Sequence, residues 1–377
     1  MINISRLYCG MESSSDRFRY QSDNPVGPVI VYNCTNKCNQ NCLHCYSKTG
    51  FLGGNELDTA QAKSLLKQLA DNKCAVVLFS GGEPLKRDDL FELLDYSRQI
   101  GLRAVISTNG SLIDESVAKK LVSLGVSYAG ISIDGTEETH DSFRGNKGCF
   151  DAAINGIKFC KAAGLKVGLR FTITNHNCTQ IRDIFSLAAQ LNISRICFYH
   201  IISAGQAAKN NLKCTIDQTR RAINDILDCT KEYASRGITE VLTVGNHADG
   251  AFVLNRLKHE NSPLCEKSLN LLQKFGGNKI GTKILAVDAF GNVHPDQFWQ
   301  NYSLGNITEI KLEEIFKKSL NIFTDKTKFA PDRCKKCNWL KICGTNMRDL
   351  HLEPGCYLDD KEIEGKQNEY VCQDAKA

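Results

Sequence analysis

The chain has 377 residues, 42% of them hydrophobic and 24% charged, and a formal net charge of +5. These values are ordinary for a globular protein, and the length is enough for two or three domains. No apolar run approaches the roughly eighteen residues of a membrane-spanning helix, and residues 1–6 lack the apolar segment of a signal peptide, so the sequence predicts a cytoplasmic protein with no membrane partner. The weak, dispersed positive charge disfavours a nucleic-acid partner and suits a small polyanionic substrate.

Strand and helix patterns alternate through the first half of the chain. A polar leader, residues 1–28, is predicted to pack as an N-terminal arm. Six continuous apolar runs follow, as is typical of parallel strands covered on both faces, at residues 29–32, 75–79, 102–107, 126–133, 165–174 and 195–202. Helix patterns separate them, starting at residue 59 and then covering residues 88–100, 114–124, 150–163 and 179–191. Crossovers of this length join parallel strands, so the predicted fold class is α/β.

Residues 29–213 contain six strand–helix units, too few for a closed eight-stranded barrel. We therefore predict a partial (β/α)6 barrel, with a doubly wound sheet as the structural alternative. Residues 214–275 are predicted to be a bridging helical region that includes one strand at 238–244. Residues 276–377 begin with a predicted hairpin at 284–294 and are expected to form a small C-terminal domain.

Two groups among the eighteen cysteines have the spacing of metal ligands. The first, Cys38, Cys42 and Cys45, forms C-x3-C-x2-C in a polar loop directly after the first strand. A [4Fe–4S] cluster normally takes four thiolates, so three thiolates leave one iron open to bind a substrate. The alternatives are reduced thiols, or a zinc site completed by Cys34 or His44.

The second group lies in the predicted C-terminal domain. Its members, spaced C-x2-C-x5-C-x12-C, are Cys334, Cys337, Cys343 and Cys356. This spacing predicts another metal site, and zinc is an alternative, although the paired C-x2-C motifs of a zinc ribbon are absent from the sequence. Cysteines outside the two groups are interpreted as packing residues or free thiols.

Polar and glycine-rich segments follow three consecutive strands of the predicted sheet, at residues 80–84, 107–110 and 132–135. The carboxyl ends of parallel strands meet at one edge, where binding sites form, and the first cysteine loop lies at the same edge. Gly81 and Gly82 let the backbone approach a ligand closely, and the carboxylate of Glu83 suits an ammonium group.

The cysteine loop and the segment Gly81-Gly82-Glu83-Pro84 resemble the radical S-adenosylmethionine (SAM) enzymes. The resemblance implies that Cys38, Cys42 and Cys45 hold a [4Fe–4S] cluster whose fourth iron is chelated by SAM. It further implies that Gly81, Gly82 and Glu83 bind the SAM amino group. Candidates for the ribose and methionine contacts are Ser107, Asn109, Ser132 and Asp134. Arg170 would face the SAM carboxylate. An ion pair inside the barrel is the alternative for Arg170, and a turn cap is the alternative for Asp134.

The second cysteine group resembles the SPASM/twitch extension of radical SAM enzymes, which implies that it binds an auxiliary [4Fe–4S] cluster. The hairpin departs from the full SPASM pattern, because Asp296 stands where that pattern has a further cysteine ligand. We therefore expect a single auxiliary cluster, with Cys265 as an unassigned spare.

Three segments, residues 4–10, 294–299 and 302–306, resemble the branch of SPASM enzymes that acts on siroheme-derived tetrapyrroles. This branch includes didecarboxysiroheme deacetylases and haem d1 biosynthesis enzymes. It implies that reduced ferredoxin or flavodoxin supplies an electron, that SAM yields a 5′-deoxyadenosyl radical, and that the radical abstracts hydrogen from a side chain of the macrocycle. The predicted reaction removes acetate groups from 12,18-didecarboxysiroheme to give iron-coproporphyrin III, and loss of propionates in the haem d1 pathway is the alternative.

A polycarboxylate substrate needs cationic partners. The candidates are Arg144, Arg170, Arg195 and Arg348, although nothing in the sequence places them at the pocket. His294 is a candidate ligand of the substrate iron, or a surface residue of the hairpin. No catalytic acid or base is assigned.

Two rival functions are a SPASM peptide maturase and a non-catalytic iron–sulfur or zinc protein. The maturase is disfavoured because a 28-residue leader leaves no room for a peptide-recognition domain.

Overall fold

The strands of the computed structural model form one mixed sheet. The structure describes residues 1–13, 16–20, 27–47, 55–346 and 355–364. Within these ranges the strands are β1 (Ile2–Asn3), β2 (Gly27–Thr35), β3 (Cys74–Gly81), β4 (Ala104–Thr108), β5 (Ala129–Ser132), β6 (Val167–Ile173), β7 (Arg195–His200), β8 (Glu240–Val244), β9 (Ile284–Val287), β10 (Asn292–His294) and β11 (Gly305–Asn306).

The helices cover this sheet and build the C-terminal part. In the described residues they are α1 (Ile4–Cys9), α2 (Asp16–Tyr20), α3 (Thr59–Asp71), α4 (Leu90–Gln99), α5 (Glu115–Ser123), α6 (Glu137–Arg144), α7 (Cys149–Ala162), α8 (Ile181–Gln190), α9 (Gln206–Lys209), α10 (Ile216–Tyr233), α11 (Ala248–His259), α12 (Cys265–Phe275), α13 (Leu312–Phe323), α14 (Asp332–Lys335), α15 (Leu340–Cys343) and α16 (Asp360–Glu364). None of them is long and apolar enough to cross a membrane.

The strand order is β1-β8-β7-β6-β5-β4-β3-β2-β9-β10-β11. Strands β2 to β8 follow chain order and are parallel to their neighbours, and β9 is parallel to β2. The predicted α/β class is confirmed, and all six predicted strands are adjacent in the sheet. The parallel set is larger than predicted, because β8 and β9 extend it at its two sides.

The predicted helix faces and helix ends agree with the structure where local signals are strong. Asp58 and Gln61 form a capping box at the start of α3, whose buried side chains are Ala62, Leu65, Leu66 and Leu69. Gly101, Gly125 and Gly164 follow α4, α5 and α7 and adopt positive φ angles of 70°, 76° and 83°. Glycine adopts this conformation at little cost, so it ends each helix at the predicted position.

The N-terminal segment forms the outer edge of the sheet next to β8. Strand β1 pairs with β8 in an antiparallel register that joins Ile2 to Thr243. Ile4 and Leu7 of α1 are fully buried, and Ser268 donates a hydrogen bond to the carbonyl of Leu7 at 2.6 Å. The leader therefore covers an edge that would otherwise expose unpaired backbone groups.

Helix α6 was not predicted from the sequence. Its eight residues, Glu137–Arg144, are mostly polar and give no long apolar repeat, so periodicity did not reveal it. The helix ends at Gly145, whose φ is 66°. Its C-terminal end contacts the first cysteine loop and thereby contributes to the site.

Candidate active site

A cleft opens at the edge of the sheet where the parallel strands end. Its lining includes almost all of the residues that the sequence assigned to the first cluster and to SAM: Cys38, Cys42, Cys45, Gly81, Gly82, Ser107, Asn109, Ser132 and Arg170. These residues come from strand ends and from the loop after β2. The expected convergence at the carboxyl edge is thus present in the structure.

The cysteine loop is held in place by backbone hydrogen bonds to its surroundings. The amides of Asn41 and Leu43 donate to the carbonyls of Arg144 and Phe143, at 3.2 and 2.9 Å. A Cβ atom added at Gly145 would lie 2.8 Å from the carbonyl oxygen of Asn41, so only glycine allows this close contact. The C-terminal end of helix α6 therefore helps to fix the conformation of the loop.

The three thiols of this loop are close enough to influence each other electrostatically. Burial, and after it the neighbouring Cys42 and Cys38, raise the pKa of Cys45 to about 11. Among the described residues, no group of three or more His, Cys, Asp or Glu side chains is arranged to hold a single metal ion. Zinc would require ligand atoms within about 2.3 Å of one centre. Three neighbouring thiols in one loop are the ligand set that the predicted iron–sulfur cluster requires.

The two motif glycines pack against the strand that precedes the cysteine loop. A Cβ at Gly81 would lie 2.4 Å from the carbonyl oxygen of Thr35, and one at Gly82 would lie 2.3 Å from that of Lys37. The amide of Gly82 also donates to the Thr35 carbonyl at 2.7 Å. The sequence predicted that these glycines make room for a ligand. The structure shows that the chain's own backbone also requires glycine at both positions.

We expect Gly82→Ala to lower the free energy of unfolding by about 1–3 kcal/mol, the usual cost of overpacking, because its Cβ meets backbone that must move. The same shift displaces the cysteine loop, so less iron is bound after reconstitution. Denaturant unfolding and iron analysis measure both effects. Gly164→Ala is the control for iron binding: its φ of +83° makes alanine strained and lowers the stability as well, but nothing lies within 4 Å of a Cβ there, so it should keep its iron. Full iron binding by Gly82→Ala would contradict the prediction.

Glu83 is fully buried and lies behind the cleft. Its carboxylate accepts hydrogen bonds from the Thr108 hydroxyl at 2.7 Å and from the Asn109 amide at 2.8 Å. Burial raises the pKa of this carboxyl group. In the structure Glu83 joins the ends of β3 and β4, and its assignment to the SAM amino group stays a prediction.

Asp134 has a role that the sequence did not predict. Its buried carboxylate forms an ion pair with Arg144 and accepts a hydrogen bond from the Thr172 amide at 2.9 Å. Burial alone would raise the pKa of Asp134, but the Arg144 guanidinium holds it below its usual value. In the structure the Asp134 carboxylate thus joins α6 to β6, and a contact with SAM stays a prediction.

Arg144 joins this ion pair to the first cysteine group. Its Nη1 donates to Sγ of Cys42 at 3.6 Å, while its Nη2 binds Asp134. These two interactions hold the guanidinium between the loop and Asp134, while its buried Nε has no hydrogen-bond partner, and a contact of Arg144 with substrate carboxylates stays a prediction. Hydrogen bonds and positive charge near cluster sulfur raise the reduction potential of an iron–sulfur cluster.

We expect Arg144→Met to lower the reduction potential of the first cluster and to destabilise the protein by about 3–5 kcal/mol, because Asp134 is left buried and unpaired. A redox titration followed by electron paramagnetic resonance, together with thermal unfolding, measures the two effects. The double variant Arg144→Met/Asp134→Asn should recover much of the stability but not the potential. An unchanged potential in both variants would refute the role of Arg144.

Arg170 lines the cleft, as Arg144 does, but its guanidinium has a different set of neighbours. Its guanidinium lies 4.7 Å from the ring centre of Tyr199, and its Nη2 donates to the Tyr199 hydroxyl at 2.5 Å. No carboxylate forms an ion pair with it in the described ranges, so the ion-pair alternative is not supported. Gly130 on the adjacent strand leaves room for the side chain, because a Cβ there would lie 2.8 Å from Arg170 Cδ.

The other two arginine candidates do not contribute to this site. Arg195 lies 3.5 Å from Glu240 and 4.8 Å from the ring centre of Tyr128, outside the cleft lining. Its predicted role as a substrate partner is therefore wrong. Arg348 lies outside the described residues.

The four cysteines of the second group share one neighbourhood. Burial raises the pKa of Cys343, and the negative charges of Cys356, Cys334 and Cys337 raise it further. The Trp339 amide lies 3.4 Å from Sγ of Cys337. This arrangement fits the predicted auxiliary cluster.

Two further C-terminal predictions have a structural outcome. Asp296 accepts hydrogen bonds from the amides of Phe298 and Trp299, at 2.9 and 2.8 Å, as a turn residue does. This is consistent with a single auxiliary cluster. Cys265, expected as a spare thiol, is disulfide-bonded.

The histidine that the sequence singled out is not at the site. Both ring nitrogens of the buried His294 have partners, the Tyr302 carbonyl at 2.9 Å and the Asp288 carboxylate at 3.2 Å. It is therefore a packing residue of the hairpin, and the predicted contact with substrate is wrong. Sequence reasoning missed His200, which lines the cleft at the end of β7. Its position at a strand end was the available signal, but the predicted strand ran past it to residue 202.

Fold and site together define a radical SAM enzyme with a C-terminal iron–sulfur domain. Residues 32–188 match the Radical SAM superfamily, and residues 279–338 match SPASM, an iron–sulfur cluster-binding domain. These matches confirm the expected cofactors, [4Fe–4S] clusters and SAM, and the predicted fold of a partial barrel with a SPASM domain.

The chain belongs to the radical SAM family that includes two tetrapyrrole enzymes. The Fe-coproporphyrin III synthase of Methanosarcina barkeri is 42% identical over 96% of this chain and 99% of its own length. The pre-heme d1 synthase of Dinoroseobacter shibae is 34% identical over 89% of this chain and 87% of its own length. Among solved structures, Streptococcus suis SuiB bound to S-adenosylmethionine has a TM-score of 0.67 at 18% identity, covering 89% of this chain and 77% of that chain. That similarity shows the fold alone.

Proposed function

We propose that this enzyme removes acetate side chains from 12,18-didecarboxysiroheme and forms iron-coproporphyrin III, a step of alternative haem biosynthesis. The observation that carries the proposal is the 42% identity to an Fe-coproporphyrin III synthase over nearly the whole of both chains. The pre-heme d1 synthase is less similar, at 34%. Removal of propionates for haem d1 is therefore the second candidate.

The cofactors, when bound, supply the electron and the 5′-deoxyadenosyl radical that begin the reaction. The chain's own residues bind and orient the reactants. Cys38, Cys42 and Cys45 would hold the first cluster, and Cys334, Cys337, Cys343 and Cys356 the second. We infer that Gly81, Gly82, Glu83, Ser107, Asn109, Ser132 and Arg170 hold SAM.

Aromatic side chains in the cleft offer a surface for a flat macrocycle. Tyr46 of the cysteine loop and Phe298 of the C-terminal part meet edge to face, with ring centres 5.0 Å apart, and both line the cleft. Large aromatic rings bury much apolar area against a planar ligand. We infer that this pair covers one side of the tetrapyrrole.

Mass spectrometry of an anaerobic reaction tests the proposal. The reaction contains reconstituted protein, SAM, a strong reductant and 12,18-didecarboxysiroheme. Loss of two acetates with intact propionates is the expected result, and loss of propionates would assign the haem d1 pathway. Formation of 5′-deoxyadenosine with an unchanged tetrapyrrole would favour a peptide maturase, and no SAM cleavage would favour an electron carrier.

Several finer predictions belong to this proposal. Reduced ferredoxin or flavodoxin is the proposed electron donor, and the cytoplasm the proposed location. We also propose the division into an arm (1–28), a partial barrel (29–213), a bridging region (214–275) and an auxiliary-cluster domain (276–377). The ranges of the two family matches, which fall inside the second and fourth parts, support this division.

A further inference from the structure

A histidine–carboxylate pair faces the cleft from the end of β7. His200 lines the cleft, and its Nε2 lies 2.9 Å from Oδ2 of Asp249. The Asp249 side chain is fully buried, and its Oδ1 accepts a hydrogen bond from the Tyr357 hydroxyl at 2.6 Å. The three groups come from β7, from α11 and from the residue after Cys356, so distant parts of the chain converge to hold one imidazole.

The hydrogen bonds determine which nitrogen of His200 is available. A carboxylate oxygen accepts hydrogen bonds, so Nε2 carries the proton and donates a hydrogen bond to Asp249. Nδ1 of the neutral ring then has a free lone pair. In the described part of the chain Nδ1 has no hydrogen-bond partner. It is also absent from the set of buried polar atoms without a partner, so it is accessible to solvent. This nitrogen is therefore open to the cleft. His44 also lines the cleft, but its Nδ1 is buried.

A nitrogen lone pair cannot donate a hydrogen bond to a substrate carboxylate, but it can coordinate a metal ion. Protein histidines that bind metals usually donate their other N–H group to a carboxylate, which fixes the tautomer and raises the basicity of the ligand. His200 and Asp249 have this arrangement, and Tyr357 holds the second carboxylate oxygen in place. The pair is therefore prepared to bind a metal that enters the cleft.

We propose that Nδ1 of His200 is an axial ligand of the iron in the tetrapyrrole substrate, with Asp249 and Tyr357 as positioning residues. The inference rests on the proposed function, which supplies an iron macrocycle whose own nitrogens leave the two axial positions open. An iron held at His200 places the ring in the cleft that also contains Gly82 and Arg170. The side chains of the macrocycle are thereby oriented toward the proposed SAM site.

The test compares two ligands that differ only in iron. Reconstituted holoenzyme is titrated with iron-coproporphyrin III and with metal-free coproporphyrin III, and the Soret band and the electron paramagnetic resonance spectrum are recorded. The wild type should give a histidine-ligated iron spectrum. His200→Ala should lose that spectrum and bind the iron form at least about tenfold more weakly, while the metal-free form binds wild type and variant equally.

Two additions separate ligation from a structural defect. Free imidazole should restore the histidine-ligated spectrum in His200→Ala, because it can occupy the space left by the ring. His259→Ala, at an exposed position at the end of α11, should behave as the wild type. A wild-type iron spectrum in His200→Ala, or equal weakening for both ligands, would overturn the inference while leaving tetrapyrrole binding intact. If the wild type bound neither ligand, the proposed function would fail and the inference with it.

Discussion

Cys42→Ala should reduce SAM cleavage to the level of a sample without enzyme. The variant is expected to bind about four iron atoms per chain after reconstitution instead of about eight, because one of the two four-iron clusters loses a thiolate ligand. The structure places Cys42 next to Arg144 and in the lining of the cleft. Iron analysis and chromatography of 5′-deoxyadenosine measure the two losses.

The matched control for this prediction is Cys214→Ala. Cys214 is a partly buried thiol outside both cysteine groups and outside the cleft. This variant should keep its iron and its SAM cleavage. Full iron content in Cys42→Ala would show that another residue is the ligand, and the assignment of the first cluster would have to be changed.

Arg170→Gln should weaken SAM binding strongly. Removing one partner of a buried charge pair costs about 2–5 kcal/mol, which corresponds to ~30-fold or more in affinity. The expected effect is large because Arg170 lines the cleft with only Tyr199 as a polar partner in the described residues, so a ligand carboxylate is its natural counterion. Equilibrium binding of SAM to the reconstituted, unreduced protein measures the loss.

Two comparisons identify the ligand of Arg170. Arg195→Gln should leave SAM affinity unchanged, because Arg195 is paired with Glu240 outside the cleft. Binding of metal-free coproporphyrin III to Arg170→Gln should equal that of the wild type. If instead tetrapyrrole binding fell and SAM binding did not, Arg170 would be a substrate residue, and the predicted contact with the SAM carboxylate would be wrong.

The cysteine groups were predictable because their information is local. The C-x3-C-x2-C spacing follows a strand directly, and the glycine segment follows the next strand, so the parallel order alone brings them to one edge. The structure adds a reason that spacing does not contain. Gly81 and Gly82 contact the backbone of Thr35, the last residue of β2, and of Lys37, the residue before the first cysteine.

Charged and titratable side chains were harder to assign. Arg144, Arg170 and Arg195 look equivalent in the sequence, yet the first binds Asp134 and Cys42, the second binds Tyr199 and the third pairs with Glu240. His294 seemed a candidate because of the motif around it, whereas its two nitrogens are both occupied. The partners that decide these roles come from other strands and helices, and a single sequence does not show them.

The sequence by itself determined the class of the protein: an α/β fold, two cysteine groups of ligand spacing, and a glycine segment at the same sheet edge. These features depend on neighbours in the chain and on strand order, which periodicity and spacing express directly. Only the tertiary structure decided that β8 and β9 widen the parallel sheet and that Arg144 donates a hydrogen bond to Cys42. It also decided that Asp249 and Tyr357 hold His200 at the cleft. Those contacts join residues as distant in the chain as Val29 and Ile284. The polar ones exist because burying a charge or a ring nitrogen requires a partner that folding alone brings close.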